Sequence, residues 1–172
     1  AAMLMAKASS LLHHLAKSIS DPGELLGRVN NEICESISHG MFVTLVSGFL
    51  DTENDKISFS NAGHQPPLFH DNKGEFVEIK ANAPPIGVVP GTEFPVETIN
   101  LNGGAVYIFT DGVTESHDEN KKFLEVSGLI ELIEINSKLP IPSRLDRIVS
   151  KIRNSCSTQH DDITLIIIEC TK

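Results

Sequence analysis

The stretch Ala-Val-Tyr-Ile-Phe-Thr-Asp-Gly-Val-Thr-Glu at residues 105–115 decides how the rest of this chain is interpreted. Its β-branched and aromatic residues predict a strand, and the Asp111-Gly112 pair that follows predicts a sharp turn. An Asp-Gly pair after a strand is most often only a turn, because these residues dominate turns for backbone reasons. The same pattern also places a carboxylate at the solvent-facing end of a rigid strand, and a second stretch of sequence is needed to decide between the two interpretations.

The C-terminal stretch supplies that second observation. Residues 160–164, His-Asp-Asp-Ile-Thr, lead directly into an apolar run at residues 165–168, so here the carboxylates precede a strand. Two helix-like segments lie between the two strands, and they would return the chain to the edge where the first strand ends. The strands would then be antiparallel, and Asp111 and Asp161 would meet at one edge. Two converging carboxylates repel unless a cation lies between them, and hard oxygen ligands suit Mg²⁺ or Mn²⁺.

Composition limits the class of protein and its partners. The 172-residue chain is 40% hydrophobic and 22% charged, which is typical of a soluble globular protein with one sizeable core. Its net charge of −9 argues against nucleic acid as a partner. The three cysteines form no Cys-x-x-Cys pair, and we interpret them as reduced thiols of a cytoplasmic protein. No apolar run reaches membrane-spanning length, so we expect no membrane insertion by this segment.

Hydrophobic periodicity predicts the remaining elements. Residues 1–19 and the segment opened by Asp21-Pro22 are predicted to form a helix pair, with the aspartate as N-cap. The strands predicted at residues 68–70 and 76–79 pair as a hairpin around residues 71–74, and further strands are predicted at residues 41–50, 57–60 and 94–101. The sequence Asn102-Gly103-Gly104 turns the last of these into the strand at residue 105. Several strands are apolar on both faces, so two antiparallel sheets packed on each other, with a helix pair outside each, meet the need for burial.

Five motifs in this order resemble the PP2C-like, metal-dependent serine/threonine phosphatases, and in particular their bacterial SpoIIE/RsbU branch. The motifs are Phe42-Val43-Thr44-Leu45, Asn61-Ala62-Gly63-His64-Gln65-Pro66-Pro67, Pro85-Ile86-Gly87-Val88, Phe109-Thr110-Asp111-Gly112-Val113-Thr114-Glu115 and Asp161-Asp162-Ile163-Thr164. Their order and spacing fit over essentially the whole chain. The resemblance implies a mixed α/β fold, the α-β-β-α sandwich of two antiparallel sheets flanked by helix pairs, with metals at the edge between the sheets.

Carried onto this sequence, the resemblance makes Asp111 and Asp161 the metal-ligand aspartates and the catalytic residues of the site. Glu115 matches the position of an acidic ligand for a further metal, whereas Asp162 matches a neighbour that orders the loop. His64 lies in a loop stiffened by prolines and is either substrate-binding or structural. The implied cofactors are two Mn²⁺ or Mg²⁺ ions per complete site, which would activate a bridging water and hold the phosphoryl oxygens.

The beginning of the chain departs from the family pattern. The resemblance places an Asp-x-x-Gly-(His or Lys)-Gly motif, whose aspartate bridges both metals, directly before a helix that starts like the one at Ala1. We therefore expect residues 1–172 to be a single phosphatase domain that is truncated at its N-terminus and lacks its first strands. The metal site of this fragment would be incomplete and its activity low or absent. Missing strands would expose sheet edges, which favour pairing with a second copy as a homodimer.

The resemblance implies hydrolysis of phosphoserine or phosphothreonine on a regulatory protein of bacterial signalling, specifically a STAS-type anti-sigma-factor antagonist in a partner-switching pathway. An upstream sensor or receiver domain in the same chain is a second implied partner. The alternative is a non-catalytic phosphoprotein-binding or scaffold module, a pseudophosphatase that kept the fold. Retention of both Asp111 and Asp161 favours the enzyme, because two carboxylates at one edge are costly without a cation. A metal-dependent nuclease is disfavoured by the acidic balance of the chain.

Overall fold

The structure, a computed structural model, describes residues 2–36, 40–117, 122–155 and 162–170. The described helices are α1 (Ala2–Leu15), α2 (Pro22–Ser36), α3 (Asp111–Thr114), α4 (Glu125–Asn136) and α5 (Ile141–Ser155). The described strands are β1 (Leu45–Asp51), β2 (Lys56–Ala62), β3 (Leu68–His70), β4 (Phe76–Glu78), β5 (Glu97–Asn100), β6 (Ala105–Phe109) and β7 (Leu165–Glu169). The chain divides into two compact units, residues 1–66 with 80–100, and residues 67–79 with 101–172.

The first unit contains α1, α2 and an antiparallel sheet in the order β1-β2-β5. Helix α2 begins where the sequence predicts, because Pro22 takes the first helical position and Asp21 Oδ1 accepts the Glu24 N–H at 2.7 Å. The apolar sides of the two helices join the sheet in one hydrophobic core, whose buried members include Leu4, Ala8, Leu25, Leu26, Val29, Ile33, Ala62 and Phe94. The predicted helix pair is therefore confirmed.

Strand β1 is shorter than the sequence predicts. It begins at Leu45 instead of residue 41, because the preceding backbone is engaged by a loop: Val43 and Ile86 exchange two backbone hydrogen bonds of 3.0 and 2.9 Å. Met41 and Phe42, which were predicted to be covered strand residues, are 38% and 58% exposed. The isolated bridge explains the difference, since it aligns Val43 with a neighbouring loop and leaves the two residues before it outside any sheet.

The predicted turn from the strand at residues 94–101 into β6 does not close a hairpin. β5 pairs with β2 in the first sheet, whereas β6 pairs with β3 and β7 in the second. Asn102 and Gly103 do have the positive φ values, 47° and 79°, that a tight turn requires. The turn therefore passes the chain from one sheet to the other, and β5 and β6 do not pair with each other.

The second unit contains an antiparallel sheet in the order β4-β3-β6-β7 together with α3, α4 and α5. The predicted hairpin of β3 and β4 is confirmed by pairing from Leu68↔Glu78 to His70↔Phe76. Alternate residues of β6 join the helices in a second core, whose members include Ala105, Tyr107, Phe109, Leu129, Ile133, Ile148 and Ile152. Val106, which alternation places on the opposite face, is also fully buried.

The predicted fold class, two antiparallel sheets each associated with a pair of helices, is confirmed. α1 and α2 accompany the first sheet, and α4 and α5 accompany the second. Within the residues that the structure describes, no helix combines the length and the apolar character that crossing a membrane would require.

Candidate active site

The end of β6 is fixed to the beginning of β7. The two strands pair antiparallel from Ala105↔Glu169 to Phe109↔Leu165. Beyond the last of these pairs, the Thr110 N–H donates to the Thr164 carbonyl oxygen at 3.1 Å. The residue before Asp111 and the first residues of the β7 segment therefore lie at one edge of the sheet, which confirms the predicted antiparallel arrangement.

The Thr110 side chain strengthens this junction. Its hydroxyl donates to the Asp162 carbonyl oxygen at 3.0 Å and accepts the Thr164 N–H at 3.0 Å. Together with the backbone bond, these contacts tie the residue that follows β6 to two residues of the β7 segment, Asp162 and Thr164. Our sequence analysis assigned no role to Thr110, and the only signal available was a hydroxyl residue directly before Asp-Gly.

Asp111 begins the short helix α3, and this turn is anchored in the protein. Val113 is fully buried in the second core. The Ser116 hydroxyl donates to the Gly112 carbonyl oxygen at 2.6 Å, and the Thr114 hydroxyl donates to the Asp111 carbonyl oxygen at 3.2 Å. The Asp111 side chain is exposed, with its Oδ1 accepting the Gly112 N–H at 2.9 Å. A firmly held turn thus presents a carboxylate to solvent.

The other predicted acidic residues are placed as follows. Glu115 is exposed, and its N–H donates to the Asp111 carbonyl oxygen at 2.8 Å. Its spacing of four residues puts the Asp111 and Glu115 carboxylates on the same side of the turn. Asp162 is exposed as well, and its backbone carbonyl bonds to Thr110. Asp161, the predicted second metal ligand, lies outside the described residues, immediately before Asp162 in the chain.

The donors at this edge fit a hard divalent cation in kind. Asp111 and Glu115 both offer carboxylate oxygens, which Mg²⁺ and Mn²⁺ prefer. In the described ranges, no group of three or more His, Cys, Asp and Glu side chains could hold a metal ion by itself. Mg²⁺ commonly keeps several waters and is held by one or two carboxylates. The exposed carboxylates of Asp111 and Glu115 are therefore of the chemical kind that such a cation prefers.

The sequence profile of the family Stage II sporulation protein E (SpoIIE) matches residues 1–171. This chain belongs to the SpoIIE family. Protein IcfG of Synechocystis sp. is 32% identical over 133 residues, which cover 74% of this chain and 20% of IcfG. Phosphoserine phosphatase RsbU of Bacillus subtilis is 25% identical over 171 residues, which cover 98% of this chain and 51% of RsbU. The chain thus spans about half or less of the length of these relatives.

Solved structures share the fold of this SpoIIE-family chain. The SiaA-PP2C domain of Pseudomonas aeruginosa has a TM-score of 0.83 at 17% identity, covering 98% of this chain and 69% of that one. The phosphatase domain of SpoIIE from Bacillus subtilis, presoaked with manganese, has a TM-score of 0.60 at 17% identity, covering 95% and 71%. At such identities the likeness concerns the fold, which is that of PP2C phosphatase domains.

His64 lies in the first unit, within the signature loop of this SpoIIE-family chain. Asn61 shapes that loop, because its Oδ1 accepts the His64 N–H at 2.8 Å and its Nδ2 donates to the His64 carbonyl oxygen at 3.2 Å. His64 Nδ1 lies 3.3 Å from Thr44 Oγ1. Gly63 has a φ of 67°, and a Cβ added there would lie 2.7 Å from Pro85 Cγ. These contacts support a structural role for the loop, and the substrate-binding role of His64 stays a prediction.

Asn30 is a residue that our sequence analysis missed. It is fully buried on α2, where its Nδ2 donates to the Val89 carbonyl oxygen at 2.8 Å and its Oδ1 accepts the Gly87 N–H at 2.9 Å. The amide therefore holds the Pro85-Ile86-Gly87-Val88 motif against the helix. A buried amide that satisfies two loop groups is expensive to remove, so this family motif depends on a residue outside it.

The far end of the β6–β7 pair contains a buried charged network. Arg144 is 5% exposed, and its Nη1 donates to the Tyr107 hydroxyl at 2.9 Å and to Glu169 Oε2 at 2.7 Å. Its Nη2 donates to the Leu139 carbonyl oxygen at 3.0 Å. Burial raises the pKa of Tyr107 above its ordinary value. Burial acts to lower the pKa of Arg144, but the bonds to Tyr107 and Glu169 outweigh it and raise that pKa.

Proposed function

We propose that the protein containing this chain is a metal-dependent protein serine/threonine phosphatase that hydrolyses phosphoserine or phosphothreonine on a regulatory protein. The observation that carries the proposal is the junction at Thr110, which ties the backbone directly before the exposed Asp111 to the start of the β7 segment. Membership of the SpoIIE family and the naming of RsbU as a phosphoserine phosphatase support this reaction. The PP2C fold of the solved SiaA domain is consistent with it.

The proposed metal ligands are Asp111 and Asp161, with Glu115 as a ligand of a further ion. The manganese-presoaked SpoIIE domain supports Mn²⁺ or Mg²⁺ as the cofactor. Bound divalent ions would supply charge stabilisation and an activated water at neutral pH. The contribution of the chain is to hold the Asp111 carboxylate in place, because buried Val113 anchors the turn and leaves the charged group exposed.

The substrate and context belong to the same proposal. We assign residues 1–172 to one phosphatase domain and propose a phosphorylated STAS-type anti-sigma-factor antagonist as its substrate, in a cytoplasmic partner-switching pathway. A sensor or receiver domain upstream in the same protein would control the activity. The name of RsbU supports phosphoserine as the substrate chemistry.

The proposal is tested by Mn²⁺-dependent phosphate release from a phosphoserine protein, measured with the intact protein and its Asp111→Asn variant. The variant keeps the size of the side chain and removes the charge, so we expect activity to fall at least about a hundredfold, given that metal assistance is worth several kcal/mol. Asp51→Asn is the matched control, because Asp51 is an exposed aspartate that accepts backbone hydrogen bonds in the turn after β1.

Full activity in Asp111→Asn would contradict the proposed role of this carboxylate. A folded wild-type protein that binds the phosphoserine protein without hydrolysing it, at any divalent ion concentration, would support the scaffold module instead.

A further inference from the structure

We infer that Thr110 is the positioning residue of this site, and that its hydroxyl, through its bonds to Asp162 and Thr164, holds the Asp111 turn in the position that metal binding needs. The inference rests on the proposed function and deepens it. It concerns a side chain that contacts backbone groups of these two residues and is not itself a proposed metal ligand.

The backbone carbonyl of Thr110 does not take part in the β6–β7 ladder. In an antiparallel ladder, two hydrogen-bonded residues exchange both of their N–H···O bonds. Here the Thr110 N–H donates to the Thr164 carbonyl oxygen, but the Thr110 carbonyl does not accept the Thr164 N–H in return. That carbonyl instead accepts the Val113 N–H at 3.0 Å, in the first turn of α3. The chain leaves the sheet at this point because the carbonyl is committed to the turn.

The hydroxyl takes the place of the missing carbonyl. Thr110 Oγ1 accepts the Thr164 N–H at 3.0 Å, which would otherwise lack its ladder partner, and donates to the Asp162 carbonyl oxygen at 3.0 Å. One residue can thereby begin the Asp111 turn and remain bonded to β7. A hydroxyl offers a donor and an acceptor at one atom, so a side chain without it would keep the backbone bond to Thr164 and lose the bonds to the Thr164 N–H and the Asp162 carbonyl.

This arrangement matters because Asp111, a proposed metal ligand, directly follows Thr110 in the chain. Groups of a functional site must be held within about 0.5 Å of their working geometry by supporting contacts. The three Thr110 bonds join the Asp111 turn to Asp162 and Thr164 at this edge of the sheet. Because the hydroxyl is already engaged on both sides, its role is to position the neighbouring groups.

The test compares Thr110→Val, Thr110→Ser and Thr98→Val in the intact protein. Valine keeps the shape of threonine and removes the hydroxyl, whereas serine keeps the hydroxyl. Thr98 is the matched control, because its hydroxyl lies 2.9 Å from the Ser58 hydroxyl on the other sheet. Mn²⁺ binding is measured by titration calorimetry, and phosphate release is measured as a function of Mn²⁺ concentration.

We expect Thr110→Val to weaken Mn²⁺ binding about tenfold, the lower end of the loss seen when groups that orient metal ligands are removed. Phosphate release should recover towards the wild-type rate at saturating Mn²⁺, because the ligands themselves are intact. Thr110→Ser and Thr98→Val should bind Mn²⁺ like the wild type. A purely structural role would lower the melting temperature in EDTA without changing the Mn²⁺ affinity of the folded protein, and that result would overturn the inference.

The outcomes separate this inference from the proposed function. If the wild type binds Mn²⁺ and releases phosphate, and Thr110→Val matches it in both, the positioning role is wrong and the phosphatase stands. If the wild type does neither, the proposed function and the inference fall together.

Should Thr110→Val fail to fold, hydrogen exchange of the Thr164 amide in the wild type provides a second test. Slow exchange that slows further with Mn²⁺ supports the inference, and exchange at the rate of a free loop amide overturns it.

Discussion

The charged side chains at the two ends of the β6–β7 pair differ in burial. At one end, Arg144 is buried and bonded to Tyr107, Glu169 and a backbone carbonyl. At the other, the side chains of Asp111 and Glu115 are exposed to solvent. A buried charge is tolerated only when it is paired and hydrogen-bonded. The buried end therefore has the character of a structural network, and the exposed end presents the carboxylates of Asp111 and Glu115 to solvent.

A shifted pKa therefore does not by itself identify a functional site. Perturbed groups often cluster at active sites, but structural ion pairs shift pKa values as well. Tyr107, Arg144 and His70, whose pKa values depart from their ordinary ones, all lie at the buried end of the sheet. The proposed site is identified instead by an exposed carboxylate on a turn that is anchored by hydrogen bonds and by the buried Val113 side chain.

Removing the buried charge of Arg144 should have the largest effect on stability. Arg144→Met removes the cation and leaves Glu169 and the Tyr107 hydroxyl without their partner, so we expect a loss of about 3–5 kcal/mol in the free energy of unfolding. Urea denaturation measures it. Tyr107→Phe is the graded control, because it removes one hydrogen bond and leaves the 2.7 Å pair of Arg144 and Glu169, at a cost of about 1 kcal/mol. Equal losses in the two variants would mean that the ion pair adds nothing.

A smaller effect is expected from pH at the same end. Burial lowers the pKa of His70 below its ordinary value of 6.5, and the Arg144 charge acts in the same direction, against Asp71, Glu134 and Glu169. The unfolded chain therefore takes up the proton more readily than the folded one, so stability is lost as the pH falls below about 6.5.

His70→Phe keeps a ring that can stack on Phe76, which lies 4.2 Å away between ring centroids, and removes the titration. Urea denaturation at pH 7.5 and 5.5 should show a smaller loss on acidification in the variant than in the wild type. The same loss in both proteins would show that His70 does not contribute.

The smallest effect on stability should come from the exposed end. Asp111→Asn changes an exposed charge and keeps an oxygen that can accept the Gly112 N–H, so we expect the free energy of unfolding in EDTA to stay within about 0.5 kcal/mol of the wild type. Together with the large loss of activity, this would separate chemistry from folding at this end. A destabilisation as large as that of Arg144→Met would mean that both ends are structural.

Sequence predicted the parts of this region that depend on local pattern. The antiparallel pairing of β6 and β7 followed from two apolar runs and two intervening helices, and the hairpin of β3 and β4 from a short turn. The Asn102-Gly103 turn is present as predicted, but the strands on its two sides belong to different sheets. Positive φ values fix the direction of the chain over two residues, and they do not determine which strand the next segment pairs with.

The missed residues depend on partners far away in the chain. Arg144 lies on a polar-looking helix, and its burial follows from Tyr107 and Glu169, which are 37 and 25 residues distant. The role of Thr110 depends on its own carbonyl being diverted to Val113, which no composition or spacing reveals. Asp161 was predicted as a ligand from the resemblance, and it stays a prediction because it lies outside the described residues.

The division of the chain into two units also has a consequence for its synthesis on the ribosome. Residues 67–79 belong to the second unit, yet they emerge before residues 80–100, which complete the first. Thr110 emerges 54 residues before Thr164. At a translation rate of about 5–20 residues per second, β6 is therefore synthesised roughly 3–10 s before its partner strand β7. During that interval the nascent chain carries an unpaired strand edge, which is a template for pairing with other chains. The growing polypeptide therefore exposes the β7-pairing edge of β6 until residues 165–169 have been synthesised.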